Sequence, residues 1–300
     1  MREKLLRRRT FLKQTSGAAA GIVALRSTSS SAQGATPIPV ISTRGHFDDS
    51  GSLTGGHSAT GYDTDGTVPG VDTGCASDLL VFAHGWTKDA TDDEAKQAAE
   101  AKIEHADASL GGAGYGGTVV GYSWDNNKGG GVDFGWGEAQ SIAQQNGSKL
   151  AQFCLDYKYS CGGTLRLASH SLGAQVVFST LRVLNATSYW NDNGYQIDSA
   201  HFLGAATDNE VPSQEDMDSY NAVANETVGT FNYYSEEDDT LEWIYNTIEF
   251  DQALGETGVE DGNTPPPNYT DFDATGQVGN NHSGYLDNVS DEVVAHINTV

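Results

Sequence analysis

Basic residues are scarce in this sequence: 16 Lys and Arg stand against 41 Asp and Glu in 300 residues, for a formal charge of −25. Nucleic acid and anionic membranes would repel such a chain, so neither is an expected partner. Cysteine is nearly missing as well. Cys75, Cys154 and Cys161 are the three present, and their spacing is not that of a zinc site. No apolar run reaches the eighteen or so residues of a membrane span; the stretch from Gly17 to Leu25 is short and rich in Gly and Ala. Nothing in the sequence calls for a metal or an organic cofactor.

The few basic residues are unevenly placed, seven of them falling before position 33. There Arg7-Arg8-Arg9-Thr10-Phe11-Leu12-Lys13 precedes the apolar stretch, and Ser30-Ser31-Ala32 follows it. That order resembles a twin-arginine export signal cleaved after Ala32. It implies a secreted protein that meets the twin-arginine translocase during export. Residues 33–300 then form a single domain with a formal charge of about −31. Its acids are scattered over helices and loops, a surface of the kind found in halophile proteins, where salt screens self-repulsion. A haloarchaeal source is the corresponding expectation. In an exported chain Cys154 and Cys161, which flank a Tyr-rich segment, either pair or remain free thiols, and Cys75 is left over.

From Asp78 onward short β-rich runs alternate with longer helical ones, which predicts an α/β fold with a mostly parallel sheet flanked by helices on both faces. Leu79 to Ala83 is apolar throughout, as a strand buried on both faces should be. Asp92 to Leu110 reads as a helix with Ala95, Ala99, Ile103, Ala106 and Leu110 inward. Strands follow at Val119–Trp124, Thr164–Ala168, Ile197–Gly204 and Thr230–Tyr234, with helices at Phe134–Tyr157 and Leu172–Leu184. Asp291 to Ile297 reads as a closing helix capped by Ser290. Before the parallel part, Thr36 to Gly74 offers one strand, Pro39–Thr43, and edge hairpins. Gly255 to Asn281 reads as structureless. Asp63-Thr64-Asp65-Gly66 begins like a calcium loop but lacks the later ligands, so it reads as a flexible acidic turn.

One turn carries chemistry. Ser169-His170-Ser171-Leu172-Gly173 lies between the apolar strand of Leu165 and Leu167 and the helix of Ala174, Val176 and Val177. It matches G-x-S-x-G, the strand-to-helix turn that exposes a nucleophilic Ser, except that Ser replaces the first Gly. At the end of an earlier strand, His84-Gly85-Trp86 resembles the His-Gly-x turn that supplies an oxyanion donor. The two motifs and their order resemble the α/β-hydrolase superfamily, of secreted lipase or carboxylesterase type, over roughly residues 78–282. The resemblance implies a serine hydrolase of carboxylic esters, with a small ester or lipid as substrate. Ser171 would be the nucleophile, and the N–H groups of Trp86 and Leu172 would hold the oxyanion. His84, Gly85, His170 and Gly173 would shape the supporting turns.

The family's chain order then requires an acid and a His. Asp238, after the strand that ends Tyr234-Ser235, is the first choice; Asp239 and, one strand earlier, Asp208 are the alternatives. Among histidines beyond Ser171, His201 lies in a strand and His296 in the last helix, leaving His282 on a loop. An exported peptidase or polyester depolymerase would use the same triad, and a hydrolase-fold binding protein would use none. Trp86, Trp124, Trp136 and Trp243 either line an acyl pocket or pack the core.

Overall fold

The computed structural model describes residues 38–88, 90–130 and 133–300; the leader-like segment and its cleavage site lie outside them. The strands are β1 (Val40–Ser42), β2 (Asp63–Asp65), β3 (Asp78–Ala83), β4 (Thr118–Ser123), β5 (Thr164–His170), β6 (Ile197–Leu203), β7 (Thr227–Tyr234) and β8 (Tyr269–Asp273). They form one sheet in the order β2-β1-β4-β3-β5-β6-β7-β8. Every pairing is parallel except that of β1 with β2 at the edge.

The helices are α1 (Asp92–Gly112), α2 (Trp136–Ser160), α3 (Gly173–Asn185), α4 (Ser188–Asp192), α5 (Met217–Glu226), α6 (Asp239–Ile244), α7 (Leu254–Thr257), α8 (Thr275–Val278) and α9 (Tyr285–Ile297). A parallel sheet must be covered on both sides, and β3 shows how its side chains divide. Leu79, Val81 and Ala83 enter the core under α2 and α3, whereas Leu80 and Phe82 enter the core under α1 and α9. This is the α/β-hydrolase architecture. Among the described residues no helix is long and apolar enough to cross a membrane.

Local signals fix the element ends. Thr91 caps α1 through a reciprocal box with Glu94, which satisfies two otherwise orphaned N–H groups. The closing helix starts earlier than expected, at Tyr285, and Ser290 lies inside it, its hydroxyl donating to the Leu286 carbonyl at 2.6 Å. Tyr285, Leu286, Val289, Val293, Val294 and Ile297 form the buried stripe that sets this length. The stretch 255–281 is not structureless, since it holds β8 and α8. β8 is an edge strand, mostly half-buried or exposed, so it lacks the apolar run that marks the central strands. Asp63-Thr64-Asp65 is strand β2 rather than a flexible turn.

The cysteines are arranged differently from the expected alternatives. Cys75 pairs with Cys161, their Cα atoms 5.4 Å apart, and Cys154 is free and buried. The helix α2 runs to Ser160, so Cys154 and Cys161 stand about 10 Å apart along its axis, beyond the reach of about 7 Å that a disulfide allows. The bridge closes a loop of 86 residues, for which chain entropy gives a stabilisation of about 4.6 kcal/mol. Cys75→Ala should therefore lower the thermal midpoint by roughly 5–10 °C in a calorimetric scan, and an unchanged midpoint would show that the bridge does not form.

Candidate active site

Ser171 joins β5 to α3 with φ at +56°, a left-handed conformation that costs a non-glycine residue energy. The turn is held from three sides. Ser171 N–H donates to Leu203 O at 3.0 Å, and Ser171 O accepts from the N–H groups of Ala174 and Ala206 at 3.0 and 3.1 Å. Two glycines make room: a Cβ on Gly85 would stand 2.7 Å from Ser171 Cβ, and one on Gly173 would stand 2.4 Å from Ala83 O. Where the motif expects its first glycine, Ser169 fits because its side chain is small and fully buried, although its hydroxyl finds no partner.

Trp86 and Leu172 both have N–H groups without an acceptor among the described residues. Leu172 stands at the start of α3, where the helix dipole adds positive potential. The Gly85 carbonyl on the opposite side of the first turn accepts from Asn126 Nδ2 at 2.6 Å. His84 Nδ1 lies 2.9 Å from the same oxygen, and His84 Nε2 accepts from Trp124 N–H at 3.3 Å. Burial, then the nearby Arg44 cation, pushes the His84 pKa down to about 3, so its ring is neutral. The ring joins the Gly85 carbonyl to the Trp124 backbone. Asn126, just beyond β4, gave no sequence signal because its role exists only through a neighbour far along the chain.

Of the three competing acids, Asp238 is the one that meets His282, its Oδ2 accepting from Nδ1 at 2.7 Å. Asp238 is fully buried, and its other oxygen accepts from the N–H groups of Thr240 and Leu241, capping α6. Tyr285 OH lies 3.3 Å from Asp238 Oδ2 and 3.2 Å from Gly255 O, its one proton shared between the two acceptors. No sequence pattern marked Tyr285. Asp239 is exposed and accepts instead from Asn280 Nδ2. Asp208 makes an isolated bridge with Ala253, and burial followed by Asp251 and Glu249 pushes its pKa up to about 6.

His282 is held from its backbone too. The Nε2–H of buried His170 donates to the His282 carbonyl at 2.7 Å, and burial, with Lys102 nearby, holds the His170 pKa well below the ordinary value. His282 Nε2 is buried and has no hydrogen-bond partner, Ser171 Oγ included. Both side chains line one cleft of about 160 Å³, with His84, Gly85, Trp86 and Lys102 on its walls. In unliganded sites such a contact is often long and closes on substrate binding.

The tryptophans divide between the two expected roles. Trp124 and Trp136 are buried in the core, while Trp86 lines the cleft and meets Trp136 edge-on at 5.2 Å. Trp243 is exposed, and Lys88 Nζ lies over its ring and, at 3.6 Å, over that of Phe134.

No protein-family model matches the sequence, and no curated protein sequence matches it. Among solved structures the fold is similar to an acetyl xylan esterase, described as its iodinated complex, with a TM-score of 0.40 and 12% identity over 75% of this chain and 99% of that one.

Proposed function

We propose that this protein is a serine hydrolase of carboxylic esters. The observation that carries the reading is the buried Asp238–His282 contact at 2.7 Å beside a serine held at φ +56°. His282 Nδ1–H donates to Asp238, which leaves Nε2 unprotonated and able to take the Ser171 proton. The alkoxide attacks the ester carbonyl, and the N–H groups of Trp86 and Leu172 hold the developing oxyanion. His282 then protonates the leaving alcohol, and water activated in the same way releases the acid from Ser171.

Trp86, Ala98 and Ala99 give the cleft an apolar wall, which suits an acyl chain or other apolar ester group better than a charged peptide. The Arg-rich leader, the Cys75–Cys161 bridge and the acidic surface support export by the twin-arginine route into a salty, oxidising medium.

The test is a panel of p-nitrophenyl esters from acetyl to palmitoyl, run in high salt beside a peptide p-nitroanilide, with fluorophosphonate labelling mapped by mass spectrometry. Ester turnover and a single label on Ser171 are expected. Absence of both from folded protein would overturn the reading, and faster cleavage of the anilide would make the enzyme a peptidase.

A further inference from the structure

Far from the catalytic turn, two histidines and an aspartate converge at the antiparallel edge of the sheet. His46 follows β1, Asp63 opens β2, and His57 lies on the loop between them. The rings of His46 and His57 stack with centroids 3.8 Å apart, and His46 Nε2 lies 3.0 Å from Asp63 Oδ2. One donor atom from each residue lies within 4.8 Å of the other two. We propose that His46, His57 and Asp63 bind one divalent transition-metal ion, with zinc the best match to the ligand set.

The distances suit that ion. Tetrahedral zinc with bonds of about 2.0–2.1 Å sets its ligand atoms ~3.3 Å apart, so His46 and Asp63, at 3.0 Å, already stand at ligand spacing and His57 has to close by at most ~1.5 Å from the 4.8 Å limit. His57 and Asp63 are exposed and free to adjust, and their solvent side leaves the fourth position to water. His46 is buried and held from behind, because Lys149 Nζ lies 3.1 Å from its Nδ1 and is itself anchored on Ser58 O and Gly61 O at 2.5 and 2.9 Å. Lys149 thereby fixes the orientation of the ring. The ion takes the Nε2 lone pair, so the single ring proton moves to Nδ1; Lys149 releases one proton to solvent and its amine nitrogen accepts from Nδ1–H, one proton being released per ion bound. Two imidazoles and one carboxylate favour zinc, nickel or cobalt over magnesium or calcium. The loop of residues 43–62 is already tied to Asp125 and to Lys149 of α2, and the ion would add a direct link from its exposed His57 to β2.

The site is independent of ester hydrolysis, since none of its residues lines the catalytic cleft. The experiment uses protein without a polyhistidine tag, stripped with EDTA and titrated calorimetrically with zinc chloride. One equivalent should bind, and a hundredfold excess over Kd should raise the thermal midpoint by about 5 °C, with no rise in magnesium or calcium. His57→Ala and Asp63→Asn change exposed side chains, so the fold should persist while zinc affinity falls at least about tenfold. A wild-type midpoint indifferent to zinc, or affinity unchanged in both variants, overturns the proposal.

Discussion

Ser171→Ala is expected to lower kcat for an activated ester by about 10⁵-fold while the protein stays folded and KM changes little. Both halves of that outcome follow from the turn. The hydroxyl makes no hydrogen bond to the one triad atom that faces it, His282 Nε2, so removing it leaves no buried partner newly stranded. The left-handed φ of +56° is a property of the backbone, and Ala keeps the Cβ that meets it, so the strain is unchanged. The backbone bonds to Leu203, Ala174 and Ala206 stay in place. On the proposed mechanism what disappears is the nucleophile, leaving only the residual rate that oxyanion donors and binding sustain. Ser171→Gly provides an internal check on the strain: freeing the backbone from Cβ should stabilise the fold by about 1 kcal/mol while activity is lost. Steady-state ester hydrolysis and denaturant melts measure the two effects separately. A Ser171→Ala rate within about tenfold of wild type would remove Ser171 from the chemistry.

β3 and β4 were legible because each is buried on both faces and so appears as a largely apolar run, and β5, β6 and β7 as short β-rich runs between helical ones. β8 was not, because an edge strand such as Tyr-Thr-Asp-Phe-Asp has one side open to water and alternates only weakly. The start of α9 was hidden by Asn280-Asn281-His282-Ser283-Gly284, which reads as loop although a single 3₁₀ turn at His282–Gly284 leads straight into the helix. The disulfide was misread for a related reason: whether Cys154 can reach Cys161 depends on how far α2 continues. At the site, the turns of Trp86 and Ser171 could be found because each needs small residues at fixed offsets. Asn126 and Tyr285 could not, since each acts on a group distant in the chain. Three candidate acids in a chain this acidic look alike on paper, and burial is what separates them: Asp238 is fully buried while Asp239 and Asp208 face solvent.

That separation leads to the second large effect. Asp238→Asn is expected to lower kcat by about 10⁴-fold, whereas Asp239→Asn and Asp208→Asn should each change it less than about threefold. The carboxamide is nearly isosteric with the carboxylate, and its oxygen can still accept from the N–H groups of Thr240 and Leu241, so the cap on α6 survives. The amide nitrogen then faces His282 Nδ1 and donates where Asp238 accepted. That reversal forces the proton of His282 onto Nε2, the atom that must receive the proton of Ser171. Tyr285 OH, which shares its proton between Asp238 Oδ2 and Gly255 O, can turn to accept from the amide instead, so no buried group loses its partner. Stability should therefore change by no more than about 1 kcal/mol while turnover collapses, a combination that a purely structural aspartate cannot produce. The pH profile gives the discriminating readout. In the Asp238→Asn variant, residual hydrolysis should rise with hydroxide, because solvent base must replace His282. If Asp208→Asn showed the larger loss, the acid would belong to the strand before, and the contact at Asp238 would be no more than a helix cap that happens to hold a histidine.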